Sequence, residues 1–189
     1  MKQIVKKDGL VLCVSTNPAS QDLVENFAKK FTFPYAMKRW LGGTLTNFKV
    51  MQQSIKRMKE ISEFLDSEKS KSLIKKERLN LERQFERMRI KFGGLLNMNK
   101  LPDAIFVIDP HFEKGAVREA KEFGIKIFAI LDTNSDPSDI DYVIPANDDA
   151  KKSVEMIMNL VKEAILEGAK KTKIDTNSQI KINAADPEK

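Results

Sequence analysis

The segment Lys38–Phe48, KRWLGGTLTNF, contains the side chains of this chain that are best suited to binding a partner. Two cations and the only tryptophan precede a glycine pair. Glycine has no Cβ and tolerates positive φ, so Gly42 and Gly43 predict a close approach between the backbone and a partner. Lys38 and Arg39 are the best candidates in this segment for contacts with phosphate groups.

Hydrogen-bonding side chains follow the glycines, where a helix is predicted to begin. They are Thr44, Thr46 and Asn47. The free N–H groups of a helix N-terminus also suit a phosphate. The segment is equally compatible with a loop in which Trp40 packs into the core and Thr46 or Asn47 is an ordinary N-cap.

Groups able to catalyse a reaction are few. His111 is the only histidine, and Cys13 lies within an apolar strand, where a thiol is normally inert. No serine occurs in a G-x-S-x-G turn, and neither G-x-x-x-x-G-K-[ST] nor G-x-G-x-x-G occurs. The sequence therefore favours a protein that is not an enzyme and has no cofactor or catalytic residues.

An alternative enzymatic reading rests on three polar segments. Ser15–Ser20 and Asp109–Phe112 each follow a predicted strand and would face each other where ligands bind in doubly wound sheets. Asp132–Pro137 is rich in short polar side chains that could hold magnesium. The same residue types also form turns without any ligand. A nucleotide that raised the melting temperature would favour the enzyme.

The net charge of +6 is unevenly distributed. Residues 1–46 carry +4, residues 47–92 carry +6 and residues 93–189 carry −4. A positive first half indicates a polyanion bound on one side of the molecule, although solvated lysine-rich surfaces give the same pattern. The single cysteine excludes a disulfide framework and indicates a reducing compartment. No apolar run approaches the roughly 20 residues that span a bilayer, so we expect no membrane partner.

Strands and helices alternate along most of the chain, which predicts a three-layer α/β fold with a doubly wound, flavodoxin-like parallel sheet of about five strands in the order 2-1-3-4-5. The predicted strands are Leu10–Thr16, Pro34–Met37, Ala104–Ile108, Lys126–Leu131 and Asp141–Ile144. The predicted helices between and after them are Pro18–Lys30, Glu113–Phe123 and Asp148–Gly168. The core domain would comprise residues 1–46 and 93–168, followed by a flexible C-terminal tail at 169–189.

Residues 47–92 interrupt this alternation with two stretches of apolar residues at 3-4 spacing. The first runs from Phe48 to Leu65 with a gap at Ser62, and the second comprises Leu81, Phe85, Met88 and Phe92. This pattern predicts an inserted antiparallel coiled-coil hairpin. The outer faces of the hairpin carry many cations. A hairpin whose seam recruits a partner helix is a third possibility, but few apolar residues lie outside that seam.

Several long segments resemble the bacterial and organellar ribosomal protein S2 family, in order, from about Leu10 to Gly168. They are RWLGGTLTNF (39–48), LPDAIFVIDP (101–110), AVREAKEFGI (116–125), DTNSDPSDIDYVIPANDDA (132–150) and SVEMI (153–157). The resemblance implies a doubly wound sheet with an inserted coiled-coil hairpin. It also implies a structural, non-enzymatic protein of the small ribosomal subunit that binds rRNA and neighbouring ribosomal proteins in translation and subunit assembly.

The resemblance and the local chemistry together give a predicted rRNA-binding set. It comprises Lys38, Arg39, Gly42, Gly43, Thr44, Thr46, Asn47, Lys49, Arg57, Lys75, Arg83, Arg87 and Arg89. We expect the hairpin cations to contact phosphates, and recognition to depend on RNA shape and backbone. Trp40 is expected to be packed rather than stacked on a base, and no metal or small-molecule substrate is predicted.

The chain departs from the family pattern at its start. Family members usually begin with some dozens more residues, whereas Met1 here falls just before the predicted central strand. The sequence is compatible with a shortened protein, a fragment or an alternative start. The expected location is cytoplasmic, on the small ribosomal subunit, with an organellar ribosome as the open alternative.

Overall fold

The computed structural model describes the backbone of residues 1–183 and the side chains of residues 1–70 and 72–168. Five strands form one sheet: β1 (Val11–Val14), β2 (Tyr35–Ala36), β3 (Ala104–Ile108), β4 (Lys126–Leu131) and β5 (Tyr142–Pro145). The seven helices described are α1 (Lys2–Lys6), α2 (Pro18–Lys30), α3 (Phe48–Asp66), α4 (Glu68–Lys71), α5 (Lys75–Phe92), α6 (Lys114–Glu122) and α7 (Lys151–Asn183). Short 3₁₀ turns occur at Gly93–Leu95 and Pro137–Asp139.

The sheet is parallel throughout and has the order β2-β1-β3-β4-β5, which confirms the predicted doubly wound fold. Cys13 on β1 lies between Tyr35 on β2 and Phe106 on β3. All residues of β1 and β3 are buried, as expected for central strands that are covered on both faces. The thiol of Cys13 is fully buried, and this burial raises its pKa far above the ordinary value.

Alternate strand residues supply two separate hydrophobic cores. On one face, Leu12, Ile105 and Ile127 pack with α6, the loop before α3 and the first turns of α3. On the other face, the neighbouring strand residues pack with α2 and α7. The predicted helix Pro18–Lys30 has the bounds of α2, and Asn17 caps it because its side chain accepts a hydrogen bond from the Ala19 amide.

The helix α7 differs from the predicted Asp148–Gly168 at both ends. It begins at Lys151 because the Asn147 side chain accepts hydrogen bonds from the Asp149 and Ala150 amides, which holds these residues in a turn. Its backbone continues past Gly168 to Asn183. Residues 184–189 of the predicted flexible tail lie outside the described residues, and the mobility of the tail stays a prediction. No helix in the described part of the chain is long and apolar enough to cross a bilayer.

The helices α3 and α5 contact each other and form a helical hairpin. The buried face of α3 is Met51, Ile55, Met58 and Ile61. Ile61 restores the 3-4 spacing at the place where the predicted seam had a gap at Ser62. The matching apolar residues of α5 are only half-buried. This burial pattern agrees with the predicted seam, while coiled-coil geometry stays a prediction.

Only the base of the hairpin belongs to the core. Met51 and Ile55 are part of the cluster under the sheet, and Phe48 and Phe92 pack against it. Met58 and Ile61 are also buried but belong to neither core cluster. At the end of α5, Gly94 packs so closely on β2 that a Cβ there would lie 2.2 Å from the Tyr35 carbonyl oxygen. The hairpin base is therefore fixed against the edge of the sheet.

Candidate nucleic-acid interface

The carboxylate of Glu119, on α6, holds the glycine-containing loop in place. Its two oxygens accept hydrogen bonds from Trp40 Nε1 (3.0 Å), the Gly43 amide (2.9 Å), the Leu45 amide (2.8 Å), the Thr46 amide (3.1 Å) and the Thr46 hydroxyl (3.2 Å). Glu119 is only 8% exposed, although glutamate is rarely buried without partners. The loop therefore has one fixed shape, set by a side chain more than seventy residues away in sequence.

Two opposing effects act on the pKa of Glu119. Burial raises it, because removal from water disfavours the charged form. The hydrogen bonds donated by Thr46, Leu45, Trp40 and Gly43 stabilise the carboxylate and outweigh burial, so the pKa lies below its ordinary value. Glu119 is consequently ionised at neutral pH, and the loop wraps around a buried negative charge.

The two glycines of the loop have different structural requirements. Gly43 has a φ of +88°, a backbone conformation that residues with a Cβ rarely adopt, so the fold itself requires glycine there. Gly42 is exposed, lacks such a φ, and a Cβ added to it would meet nothing within 4 Å. Nothing within the described protein requires glycine at position 42, which leaves its backbone open to close approach from outside.

The three polar side chains of the loop that belong to the predicted binding set differ in how accessible they are. Thr44 is buried, and its hydroxyl donates to the Leu41 carbonyl oxygen at 2.5 Å. The loop turns this hydroxyl inward, so a contact between Thr44 and RNA would have to involve its backbone, and the place of Thr44 in the RNA-binding set stays a prediction. Thr46 is exposed but donates to Glu119. Asn47 occupies the N-cap position of α3 without a capping hydrogen bond from its side chain, so the amide is accessible.

Trp40 is packed, as expected. It lies against the core cluster, its ring faces Gly115 on α6, and its indole N–H is bonded to Glu119. The tryptophan therefore anchors the loop to the helix. The exposed residues beside it are Lys38 and Arg39.

A groove of about 420 Å³ lies between the base of the hairpin and the β2 edge of the sheet. Its lining carries five cations and one carboxylate. The cations are Lys29, Lys38, Arg39, Arg89 and Lys91. The structure thus brings three predicted RNA-binding residues, Lys38, Arg39 and Arg89, to one place. Lys29 and Lys91 join them only in three dimensions.

Two of the groove cations have acidic partners. Arg89 makes two hydrogen bonds of 2.8 Å to Glu86, and Lys29 contacts Glu25 at 2.7 Å. The Glu86 hydrogen bonds raise the pKa of Arg89, and the Lys29 hydrogen bond lowers the pKa of Glu25. Exposed ion pairs are weak, so an incoming phosphate can compete for these cations.

The remaining predicted cations are exposed but spread along the hairpin. Lys49 and Arg57 lie on α3, and Lys75, Arg83 and Arg87 lie on α5. From Lys75 to Arg89 the helix rises about 21 Å, at 1.5 Å per residue. The structure therefore does not gather these residues into one site. They offer separate contacts along the length of the hairpin.

The loops of the enzymatic alternative do meet at the carboxyl end of the sheet, but their polar groups bond to each other. The hydroxyls of Ser15 and Ser20 are 2.7 Å apart, and Glu113 accepts a hydrogen bond of 2.8 Å from the Thr16 amide. In Asp132–Pro137, Asp132 accepts from the Thr133 amide, and the Asp136 side chain accepts from Ser138. The bonds of Asp132 and Asp136 are those of ordinary turns, while the bond between Thr16 and Glu113 joins the two loops.

Three carboxylates nearby could hold a metal ion. Oxygens of Asp109, Asp148 and Asp149 lie within 4.8 Å of one another. Burial, and then the charge of Asp109, raise the pKa of Asp148, while burial is also the main cause of the raised pKa of Glu113. Asp109, Asp148 and Asp149 accept hydrogen bonds from the Phe112 amide, the Asp132 amide and the Asn17 side chain, respectively. The cluster is thus integrated into the hydrogen bonding of the loops.

Sequence reasoning missed Glu119 as the organising residue of the loop. A signal was present, because Glu119 shares a helix face with the small and apolar residues Ala116 and Ala120. A carboxylate on such a face needs buried donors. No local pattern could have assigned Lys29 and Lys91 to the groove, since their elements meet only in the folded protein.

These features define a class of protein: a doubly wound α/β domain that carries a cationic helical hairpin and a fixed glycine loop. The chain belongs to the ribosomal protein S2 family, since the family model described as Ribosomal protein S2 matches residues 1–168. Its relatives are named as proteins of the small ribosomal subunit, and members of this family are structural proteins rather than enzymes.

Three relatives, each named small ribosomal subunit protein uS2, illustrate the similarity. The protein of Deinococcus radiodurans is 42% identical over 167 residues, which is 88% of this chain and 63% of the relative. That of Cytophaga hutchinsonii is 44% identical over 165 residues, 87% of this chain and 65% of the relative. That of Coxiella burnetii is 40% identical over 182 residues, 96% of this chain and 58% of the relative. The chain therefore spans less than two thirds of the length of each.

Proposed function

We propose that this protein is a structural constituent of the small ribosomal subunit that binds rRNA and neighbouring ribosomal proteins in translation and subunit assembly. Membership of the S2 family and the names of the relatives support this role. The observation that carries it is the cationic groove at the hairpin base, where the loop cations and the last turn of α5 meet. The protein acts in place on the ribosome and catalyses no reaction.

The groove is suited to an RNA backbone because its cations outnumber its carboxylates by five to one. Arg39 and Arg89 offer planar guanidinium groups, which pair with phosphate through two hydrogen bonds. Lys29, Lys38 and Lys91 supply flexible point charges around them. Because these contacts address phosphates, they fix position and carry little sequence information.

The loop and hairpin extend this contact in two directions. Gly42 exposes backbone with no Cβ above it, next to Lys38 and Arg39, so a phosphate or ribose can approach closely. The exposed arginines of α5 offer further phosphate contacts along the hairpin. RNA bound in this way is recognised by the shape of its backbone. The second half of the chain, with a net charge of −4, offers acidic surface to neighbouring proteins.

The test is a comparison of two doubly substituted proteins in binding to in-vitro-transcribed small-subunit rRNA. Lys38→Gln with Arg39→Gln removes two groove cations. Lys151→Gln with Lys152→Gln removes the same charge from the start of α7 and is the matched control. We expect the first protein to bind at least about tenfold more weakly, and the control to bind within about twofold of the unaltered protein.

Equal losses in both proteins would show that the binding follows net charge and not the groove. Unaltered affinity in the Lys38 and Arg39 variant would remove the groove from the interface. Circular dichroism of each variant checks that the fold is retained, which is expected because the substituted side chains are all exposed.

A further inference from the structure

A second surface that suits RNA lies on the turn between β3 and α6. Phe112 is 74% exposed, the largest exposed fraction among the exposed large apolar residues described. A large aromatic ring gains stability from burial, so this exposed ring offers a flat apolar face on which a partner could pack. The residues around it indicate what could cover it.

The turn presents Phe112 rigidly. Asp109 is buried with a φ of +58°, and its carbonyl and carboxylate oxygens each accept a hydrogen bond of 3.1 Å from the Phe112 amide. On the other side, the buried carboxylate of Glu113 is bonded to the Thr16 amide at 2.8 Å. The backbone at Phe112 is therefore held by hydrogen bonds of Asp109, three residues before it, and of Glu113, directly after it.

A cavity with cations in its lining lies at the same turn, because His111, which directly precedes Phe112, and Lys114, two residues after it, are part of that lining. This cavity of about 400 Å³ is lined by His111, Lys114, Arg118 and Asn134, together with Asp136 and Asp139. Among the described side chains, neither Lys114 nor Arg118 forms an ion pair. The two carboxylates are already engaged, since Asp136 accepts from Ser138 and Asp139 is paired with Lys121.

This surface is continuous with the loop described above. On α6, Lys114 directly precedes Gly115, which lies against Trp40, and Arg118 directly precedes Glu119, which holds the glycine loop. An RNA strand that leaves the loop can therefore follow the row of cations on α6 to Phe112.

We propose that this surface binds an unpaired nucleotide of RNA, with its base stacked on Phe112 and the adjoining phosphates on Lys114 and Arg118. The inference rests on the proposed RNA-binding function and adds a second contact, with a preference for single-stranded RNA. Proteins bind unpaired bases by stacking them on exposed aromatic rings while nearby cations contact the backbone, and here Lys114 follows Phe112 by two residues. The cavity at this turn is lined by His111 and Asn134, whose side chains can form hydrogen bonds with a nucleotide.

The test uses the full chain with a short single-stranded RNA oligonucleotide and with the duplex that this oligonucleotide forms with its complement. Phe112→Ala should weaken single-strand binding by about 5- to 150-fold, the range for loss of one stacked base, and leave duplex binding within about twofold. Phe112→Tyr keeps the ring and should retain the affinity. Phe123→Ala is the matched control, because Phe123 is also exposed (45%) and lies at the other end of α6.

Wild-type affinity for the single strand in Phe112→Ala, or an equal loss for strand and duplex, would overturn the stacking proposal. Loss of a neighbouring ribosomal protein from reconstituted subunits, with RNA binding intact, would make Phe112 a protein contact and would overturn it as well. The Lys38 and Arg39 variant separates the two proposals. If it loses rRNA binding while Phe112→Ala does not, only the inference about Phe112 fails, and if the unaltered protein binds no RNA, the proposed function fails.

Discussion

Single residues decide the shape of the loop that we propose to contact RNA, and Glu119 is the most important of them. Its carboxylate accepts the hydrogen bonds that water would otherwise accept from three backbone amides of the loop, the Trp40 indole and the Thr46 hydroxyl. Hydrogen bonds to a charged acceptor are roughly twice as strong as neutral ones, and buried donors left without an acceptor carry the full cost of desolvation. The order of the loop should therefore depend on this carboxylate.

Glu119→Ala should lower the free energy of unfolding by about 3 kcal/mol, because it leaves several buried donors without an acceptor. For a protein of this size the melting temperature should fall by about 6–12 °C. Glu122→Ala, on the exposed side of the same helix, is the control and should change it by less than about 2 °C. A Glu119 variant as stable as the control would show that the loop holds its shape without the carboxylate.

The same residue gives a pH dependence whose sign follows from its lowered pKa. A carboxyl group with a folded pKa below its ordinary value, 4.5 for Glu119, stabilises the fold fully above that value and progressively less as pH falls through the folded pKa. Thermal unfolding measured from neutral to acidic pH should therefore show a steeper loss of stability in the unaltered protein than in Glu119→Gln. Parallel curves would contradict the assigned role.

The two glycines allow structure and binding to be separated. Gly42→Ala should leave the melting temperature unchanged or slightly raised, because the added methyl group meets nothing and the unfolded chain loses freedom. It should weaken rRNA binding by about tenfold if RNA packs on this backbone. Gly43→Ala should instead destabilise the protein by about 1–2 kcal/mol, because of its φ. Normal rRNA affinity in Gly42→Ala would place the RNA elsewhere.

Among the secondary-structure elements, those with strong local patterns could be predicted from the sequence. The bounds predicted for α2, β3 and β4 are those observed, because each is a continuous apolar or amphipathic run that ends at a clear turn signal. The start of α7 could not be predicted, because it depends on whether Asn147 or Asp148 takes the first free N–H groups. That choice is made by the tertiary environment, which buries Asp148 against Asp132.

The candidate site was predictable only in part, for the same reason. Side-chain type and spacing identified Lys38, Arg39 and Arg89 as cations suited to phosphate. Their convergence on one groove depends on Gly94, where the absence of a Cβ lets the hairpin base rest on Tyr35. Packing of this kind between distant elements leaves no periodic trace in the sequence.

The two helices of the hairpin should differ in their contribution to stability. Ile55→Ala removes a buried side chain of the core cluster and should cost about 3 kcal/mol in free energy of unfolding. Leu79→Ala, on α5, removes a side chain that is 42% exposed and should cost less than about 1 kcal/mol. Denaturant unfolding of both variants measures these costs. Similar costs would show that Leu79 on α5 contributes as much to stability as the buried residue at the base of the hairpin.

At the level of the whole molecule, the sheet provides the scaffold, and the loop and the hairpin carry the positive charge that we propose to contact RNA. The sheet and its two cores hold the loop and the hairpin base in position, while most of the positive charge lies in residues 1–92. Phosphate contacts release counterions, so affinity for RNA should fall steeply with salt. A protein that bound through apolar surface or through base edges alone would respond much less.

The central claim is that a positively charged groove at the base of the hairpin binds the backbone of folded RNA. Its most direct test is the affinity for small-subunit rRNA as a function of salt, in the unaltered protein and in the Lys38→Gln, Arg39→Gln variant. With about six phosphate contacts, affinity should fall about a thousandfold between about 50 and 200 mM salt, and the variant's log–log slope should be smaller by about 2. A flat response, or equal slopes in the two proteins, would contradict the claim.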